Sequence, residues 1–280
     1  MARRAPQRAE VVSTERITPK MVRIVLSAPG GGPLALDPAG NTDAYVKVIL
    51  PRPGSGVVEP FDMEEVKARI PAEDWPVMRT YTIRWFDAET GRVALDFVVH
   101  SGEGIAGPWA EHAKPGDQVQ VAGPGGAYAP DPEADWHLLV GDESALPAIA
   151  TALEAMPEGA KVHAFIEVAD PAEEQTLLTA AHAQVRWIHR SEATGGPGED
   201  LVRAVTELEF PPGRVHAFVH GDAMTVKELR SWLRFTKEVP RQDLSISGYW
   251  RRGNNDEQWR AAKKQWNAEV DAEELAHAAS

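Results

Sequence analysis

The chain has 280 residues, 43% hydrophobic and 25% charged, with a formal net charge of -13 and no cysteine. That length suffices for two domains with separate cores, and the composition is that of a soluble globular protein. Without cysteine there is no disulfide, thiolate-held zinc, cysteine-ligated iron–sulfur cluster or cysteine nucleophile, and the acidic balance argues against nucleic-acid binding.

Any redox chemistry then has to come from an organic cofactor or from a metal held by nitrogen or oxygen. No run of eighteen apolar residues occurs, so no membrane span is expected. The N-terminal MARRAPQRAE is basic, but VVSTERITPK after it lacks an apolar core and a cleavage site, and no secretion signal is expected.

From residue 11 to about 126 the apolar runs are short, alternating and broken by Gly/Pro turns: MVRIVLSA, AYVKVIL, YTIRWF, RVALDFVVH and QVQVAG. Such spacing predicts an antiparallel barrel or sandwich. An acidic insert over 57–75 reads as helical or irregular. AYAPDPEAD, rich in Pro and Asp, reads as a linker. Beyond it WHLLVGD, KVHAFIEVAD, QVRWIHR and RVHAFVHGD are compact apolar strands that alternate with helical stretches, and DLSISGYW adds a last strand. That alternation predicts βαβ units and a parallel sheet. In the tail, Trp259, Ala262, Trp266 and Val270 recur at helical spacing, and that helix is expected on its own α/β domain, with a partner as the alternative seat.

Within RTYTIRWFD, alternation puts Arg79, Tyr81 and Ile83 on one strand face and Thr80, Thr82 and Arg84 on the other. A strand built only for packing would carry apolar residues along most of one face. A dinucleotide such as FAD needs a cation for its pyrophosphate, a flat partner for its ring and a hydrogen-bonding group near the ring nitrogen that accepts hydride. Arg79, Tyr81 and Thr82 supply these three; Arg84 is left for the flavin or an anionic substrate. An exposed strand with Arg and Thr in water is the alternative for this motif taken alone.

Downstream, DFVVHSGEGIAGPWAEHAKPGD joins a strand to a glycine-bearing turn and a short helix starting near Pro108 or Trp109. Amides at such a helix start favour a phosphate, and Gly102, Gly104 and Gly107 allow close approach. His100 is either a cofactor contact or a satisfied strand-end histidine. GDESALPAI then follows the first α/β strand, where doubly wound sheets bind nucleotides, but Gly141 is its only glycine. A helix start capped by Asp142 or Ser144 is the alternative. VHGDAM repeats the pattern at a later strand end. SGYWRRGNN places Arg251 and Arg252 beside aromatics at the end of the last strand, which points to an anion site or to a surface ion-pair cluster.

Taken together, RTYTIR, DFVVH with GPWA, KPGD, GDESALPA, VHGDAM with KELRSWLR, and GYWRRG resemble the siderophore-interacting protein family. These are FAD-dependent ferric-siderophore reductases within the ferredoxin-reductase-like superfamily, and the match runs over nearly the whole chain in the same order. The resemblance implies a six-stranded antiparallel FAD-binding barrel at 8–127, a linker at 128–135, a parallel-sheet α/β domain of NAD(P)H-binding type at 136–250 and a C-terminal helical extension at 251–276. By match of motif, Arg79, Tyr81, Thr82 and Ile83 hold FAD, Val98, Val99 and His100 flank it, and Gly107, Pro108, Trp109 and Ala110 meet its pyrophosphate. Gly141, Asp142, Glu143, Ser144 and Ala145 form the nucleotide turn. Lys47 and Arg251 match basic positions around the ferric-siderophore pocket, and Arg84 and Arg252 join them on charge.

Two departures stand out: GIAGPWA replaces a Gly-Pro-Ala-Ser run before the tryptophan, and Ser144 replaces a common Thr while keeping the hydroxyl. The expected function is FAD-dependent reduction of a ferric siderophore in the cytoplasm by a monomer, with NAD(P)H or reduced ferredoxin as donor. No residue is expected to act as acid, base, nucleophile or metal ligand. A general NAD(P)H-flavin or ferredoxin reductase, a non-catalytic ferric-siderophore binder and a purely structural two-domain protein are the alternatives.

Overall fold

The computed structural model describes residues 5–99, 102 and 104–278, with side chains to 273. The chain divides into two compact units, Met1–Ala129 and Pro130–Ser280.

In the first unit β1 (Gln7–Thr18), β2 (Met21–Ser27), β3 (Tyr45–Leu50), β4 (Val77–Asp87), β5 (Arg92–Val98) and β6 (Gln118–Gly125) form a closed barrel in the order β1-β2-β5-β4-β3-β6. Every pairing is antiparallel. The period-two pattern of the sequence is what closes it. Ile24 and Leu26 of β2, Val46 and Val48 of β3, and Val93, Leu95 and Phe97 of β5 are all 0% exposed. Burying each such side chain stabilises the fold by about 1.5–3 kcal/mol, and closure removes open strand edges. On β5, Asp96 interrupts the apolar run and is still only 4% exposed. Arg23 stands directly across from it on β2 and grips both carboxylate oxygens, at 2.7 and 2.8 Å. Such a two-pronged pair satisfies a charge that would otherwise be costly to bury.

Two helices interrupt the barrel strands, α1 (Met63–Arg69) in the acidic insert and α2 (Ala106–His112) between β5 and β6. α1 starts where Asp62 accepts from the amides of Glu64 and Glu65, at 2.8 and 3.0 Å. α2 begins at Ala106, ahead of the Pro108 or Trp109 start expected from sequence, because Trp109 already donates its amide to the Ile105 carbonyl at 3.1 Å.

The second unit is a five-stranded parallel sheet of β7 (Trp136–Asp142), β8 (Lys161–Val168), β9 (His182–His189), β10 (Val215–Asp222) and β11 (Leu244–Trp250), in the order β11-β10-β7-β8-β9. α3 (Leu146–Ala155), α4 (Glu199–Thr206), α5 (Ala223–Ser231) and α6 (Asp256–Ala278) accompany it. The strand order reverses between β7 and β10, so a topological switch point lies at the carboxyl ends of these two strands. β9 departs from the compact apolar strand expected of QVRWIHR. It is one edge of the sheet, and half of its residues are exposed, because an edge strand needs polar residues such as Gln184 and Arg186 to stay unpaired.

α6 sits on its own unit, as its spacing predicts. Trp259, Trp266 and Val270 bury against Ala223, and Lys227–Glu273 at 2.7 Å and Arg230–Asp271 at 2.8 Å flank them. Among the described residues no helix is long and apolar enough to cross a membrane, and no group of three His, Asp or Glu residues is placed to hold a metal ion.

Candidate functional site

In the first unit the candidate site is built on the β3–β4 ladder. Arg79 pairs with Val48 and Tyr81 with Val46, while Thr80 pairs with Lys47 and Thr82 with Tyr45. Directly opposed residues share a face, so Lys47, Thr80 and Thr82 stand together on one side of the ladder and Arg79 and Tyr81 on the other. Arg79 is half-buried, with Nη1 donating to the Met78 carbonyl at 3.1 Å. Tyr81 is half-buried with its ring 4.0 Å from that of Phe97 at a tilt of 36°, and Trp109 of α2 lies 5.5 Å beyond Phe97. The barrel core therefore props an aromatic platform from below. Thr82 is 7% exposed, and its hydroxyl has no hydrogen-bond partner among the described residues.

Other expected cofactor residues fall around this platform in different ways. Ile83 and Val99 are each 3% exposed and Ala110 is 1% exposed, all packed in the barrel core; Val98 is half-buried. Gly107, Pro108 and Trp109 are half-buried in the first turns of α2, which has no side-chain cap. Before it, Gly102 and Gly104 take φ of +81° and +77° with open space where a side chain would stand. His100 lies outside the described residues. A propped aromatic ring, a neighbouring guanidinium, a threonine hydroxyl with no partner among the described residues, and Gly102 and Gly104 with open space beside them are the donor set an FAD requires, and the residues fit it.

Lys47 is half-buried on this same ladder, and its ammonium makes no hydrogen bond or ion pair among the described residues. In an acidic chain a cation left unengaged is available to an anion. Arg84 is also half-buried.

In the second unit the residues of GDESA and SGYWRR converge at the switch point. Gly141 is buried, and a side chain there would meet Ala145 Cβ at 2.5 Å and the His220 carbonyl at 2.8 Å, so its small size serves the packing of α3 on the sheet. Asp142 is 4% exposed. Its Oδ1 accepts from the Ser144 amide at 2.9 Å and hydroxyl at 2.5 Å, and its Oδ2 accepts from the Asp222 amide at 3.0 Å and the Trp250 indole N–H at 2.7 Å. Burial pushes the Asp142 carboxyl above the usual carboxylate range, while the bonds from Ser144 and Trp250 pull the other way. Neither Asp142 nor Ser144 caps α3 as the sequence alternative had it. Ala145 holds that position with no side-chain cap, because the Asp142 carboxylate is turned across the strand ends.

Glu143 reaches Arg190, which also meets Glu167 at 3.3 Å. Burial opposes the Arg190 charge, but the two carboxylates outweigh it and hold the guanidinium above its ordinary pKa. Asp222, also 4% exposed, accepts the Arg252 amide at 3.1 Å and pairs with its guanidinium at 3.3 Å. Arg251, between Trp250 and Arg252, is half-buried, and its guanidinium makes no hydrogen bond or ion pair among the described residues.

The structure thus brings Lys47 to the Thr80 and Thr82 face of its ladder, and Asp142 to Trp250 and Asp222. Sequence reasoning did not find Phe97, Asp222 as the Arg252 partner, or Trp250 as an indole donor. For Phe97 the alternation of DFVVH carried the signal; the other two depend on which strand ends meet.

Two family models cover the chain: a siderophore-interacting FAD-binding domain over residues 10–128 and a siderophore-interacting protein domain over 134–253. The ferric vibriobactin reductase of Vibrio cholerae is 34% identical over 90% of this chain and 92% of its own. The NADPH-dependent ferric-chelate reductase of Escherichia coli is 29% identical over 86% and 91%. A siderophore utilization protein from T. fusca superposes with a TM-score of 0.75 at 39% identity, over 90% of this chain and 95% of that one. At the level of fold alone, the ferredoxin-NADP+ reductase of Plasmodium falciparum aligns with a TM-score of 0.61 at 10% identity. The chain belongs to the siderophore-interacting protein family, with an FAD-binding barrel and a ferredoxin-reductase-like fold.

Proposed function

We propose that this protein reduces iron(III) held by an anionic siderophore and releases iron(II) in the cytoplasm, working as a monomer. Bound FAD would supply the redox chemistry, taking electrons in a pair and delivering them singly, with NAD(P)H or reduced ferredoxin as donor. Hard oxygen ligands hold ferric iron far more strongly than ferrous iron, so one electron loosens the complex.

The protein's own part is positioning and electrostatics. Arg79 would neutralise the pyrophosphate, Tyr81 on its Phe97 support would set the plane of the ring, and Thr82 would give its hydroxyl to the ring edge, with Val98, Val99 and the first turns of α2 at the flanks. Glu143 and Ser144, the half-buried members of the GDESA turn, are the ones a nucleotide could reach. Lys47 and Arg251 would bind the anionic ferric complex, with Arg84 and Arg252 adding charge.

The observation that carries this reading is the β3–β4 register. It sets an unengaged lysine directly across from Thr80 and diagonal to Thr82, a separation of roughly 7–8 Å between such positions. A cation meant for an anionic electron acceptor belongs near the flavin, and Lys47, on the Thr80 and Thr82 side of the ladder, is the residue assigned that role. The test is a charge series. Photoreduced protein is mixed with ferric catecholates of decreasing negative charge, and the apparent affinity is expected to fall with the charge in wild type but not in Lys47→Ala with Arg251→Ala. Equal response in both proteins would count against the assignment.

A further inference from the structure

The switch point of an α/β sheet ordinarily offers free N–H groups to an anionic ligand. Here those donors are already taken. The amides of Ser144 and Asp222, the Ser144 hydroxyl and the Trp250 indole all point at the Asp142 carboxylate, and the Arg252 amide and guanidinium point at Asp222. Two carboxylates, each 4% exposed, also stand at these strand ends, one of them paired with Arg252.

Of the glycines around it, one is shaped to the Asp142 carboxylate and another to residues that bind Asp222. Gly221 has φ +140°, and a side chain on it would lie 2.6 Å from Asp142 Oδ2. Gly198 has φ +83°; a side chain there would meet Thr225 Oγ1 at 2.2 Å and approach Arg252 Nη2 at 3.8 Å. Close approach of backbone, the usual sign of a ligand, is here an approach to the chain's own side chains. Beyond the sheet ladder, Asp142 bridges the ends of β7, β10 and β11 through the Asp222 amide and the Trp250 indole. On either side of Arg251 the chain is pinned, through the Trp250 ring before it and the Arg252 backbone and side chain after it.

We propose that Asp142 and Asp222 are positioning residues: they latch the end of β11 through Trp250 and Arg252 and so present the Arg251 guanidinium to the anionic ferric complex. This rests on the reading of Arg251 as a substrate contact. Freed of the latch, the segment would have to be ordered by the ligand at the moment of binding, which weakens affinity and leaves the electron-transfer step intact.

Asp142→Asn is the probing change. It keeps the volume and one acceptor for Ser144 but turns an NH2 toward the Asp222 amide and the Trp250 indole, which are both donors. Trp250→Phe removes the indole donor from the other side, at a residue 39% exposed, where folding is least at risk. The measurement is flavin reoxidation in photoreduced full-length protein against increasing ferric tris-catecholate. Photoreduction makes it independent of the donor, and FAD content and the affinity for NADH and NADPH are recorded for each variant.

The apparent Kd for the complex is expected to rise roughly 5- to 30-fold in either variant. The limiting rate and FAD content are expected to stay at wild-type values. Asp142→Asn is expected to add nothing in an Arg251→Ala background, since both act through one guanidinium. If Arg251→Ala weakens the complex but Asp142→Asn and Trp250→Phe do not, or if their effects add to it, the latch is overturned while the substrate reading stands. Loss of nucleotide affinity with the ferric complex unaffected would overturn it in favour of a nucleotide contact. If Arg251→Ala itself has no effect, the substrate reading of Arg251 and the latch fall together.

Discussion

Lys47 stands directly across the β3–β4 ladder from Thr80, on the face that also carries Thr82, while Tyr81 turns to the other face and lies against Phe97. One strand pair therefore carries both a ring platform and an unengaged cation. Removing each should have separable effects.

Tyr81→Ala removes the platform and Arg79→Ala the cation assigned to the pyrophosphate. Each is expected to weaken FAD binding by about 1.5–3 kcal/mol, tenfold or more, with the barrel still folded. Equilibrium dialysis of apoprotein against FAD checks this; full occupancy at wild-type affinity in both variants would contradict the assignment.

Thr82→Val keeps shape and removes the hydroxyl. FAD occupancy is expected to be unchanged while the flavin midpoint potential moves by roughly 10–30 mV, the equivalent of one modest hydrogen bond for a two-electron couple. A spectroelectrochemical titration reads this shift, and an unmoved potential would place Thr82 away from the ring.

Gly221→Ala should destabilise the second unit by about 1–3 kcal/mol, since it forces a side chain at φ +140° into the Asp142 carboxylate, 2.6 Å away. Urea unfolding checks it. Gly253→Ala supplies the comparison, because a side chain there meets nothing within 4 Å although its φ is +79°. Comparable losses at both sites would mean that backbone strain, and not the carboxylate, sets the cost.

His220 is buried on β10 with Nε2 3.0 Å from Ser245 Oγ, and burial, with Lys263 adding repulsion, pushes its pKa down to about 3. His137 on β7 is likewise pushed down, to about 4, chiefly by burial. Both are held neutral in the fold. Their contribution is fully present above the ordinary histidine value of 6.5 and is lost as pH falls from there toward 3 and 4, because the unfolded chain takes up the protons first. For His220 the loss is on the order of a few kcal/mol. His220→Gln is expected to flatten the stability profile between pH 6.5 and 4, measured by urea midpoints at stepped pH; an unchanged slope would contradict it.

Much of the architecture was legible because each unit follows one period. Alternation in MVRIVLSA specifies a barrel strand, RVALDFVVH becomes a strand buried on both faces from Val93 to Phe97, and apolar strands between helical stretches specify the parallel sheet. QVRWIHR misled because apolar content does not say whether a strand is central or at an edge; only the strand order does. Arg79, Tyr81 and Thr82 stand out as a group in the sequence, although the fold also gives Tyr81 a packing role against Phe97. The pairing of Lys47 with Thr80 was not readable, because register is fixed between strands about thirty residues apart by the shared core. Asp142 shows the same limit. Its place in GDESA points to a ligand, yet its partners Asp222 and Trp250 come from later strands whose ends meet it only in the folded sheet.

The most direct test of the central claim is a single-turnover spectrum: the flavoprotein is photoreduced without oxygen and mixed with a ferric siderophore beside a ferrous-iron chelator. Flavin absorbance is expected to return as the ferrous chelate forms, two chelates for each flavin reoxidised. A flavin that stays reduced with hydroxamate, catecholate and carboxylate complexes alike would contradict it.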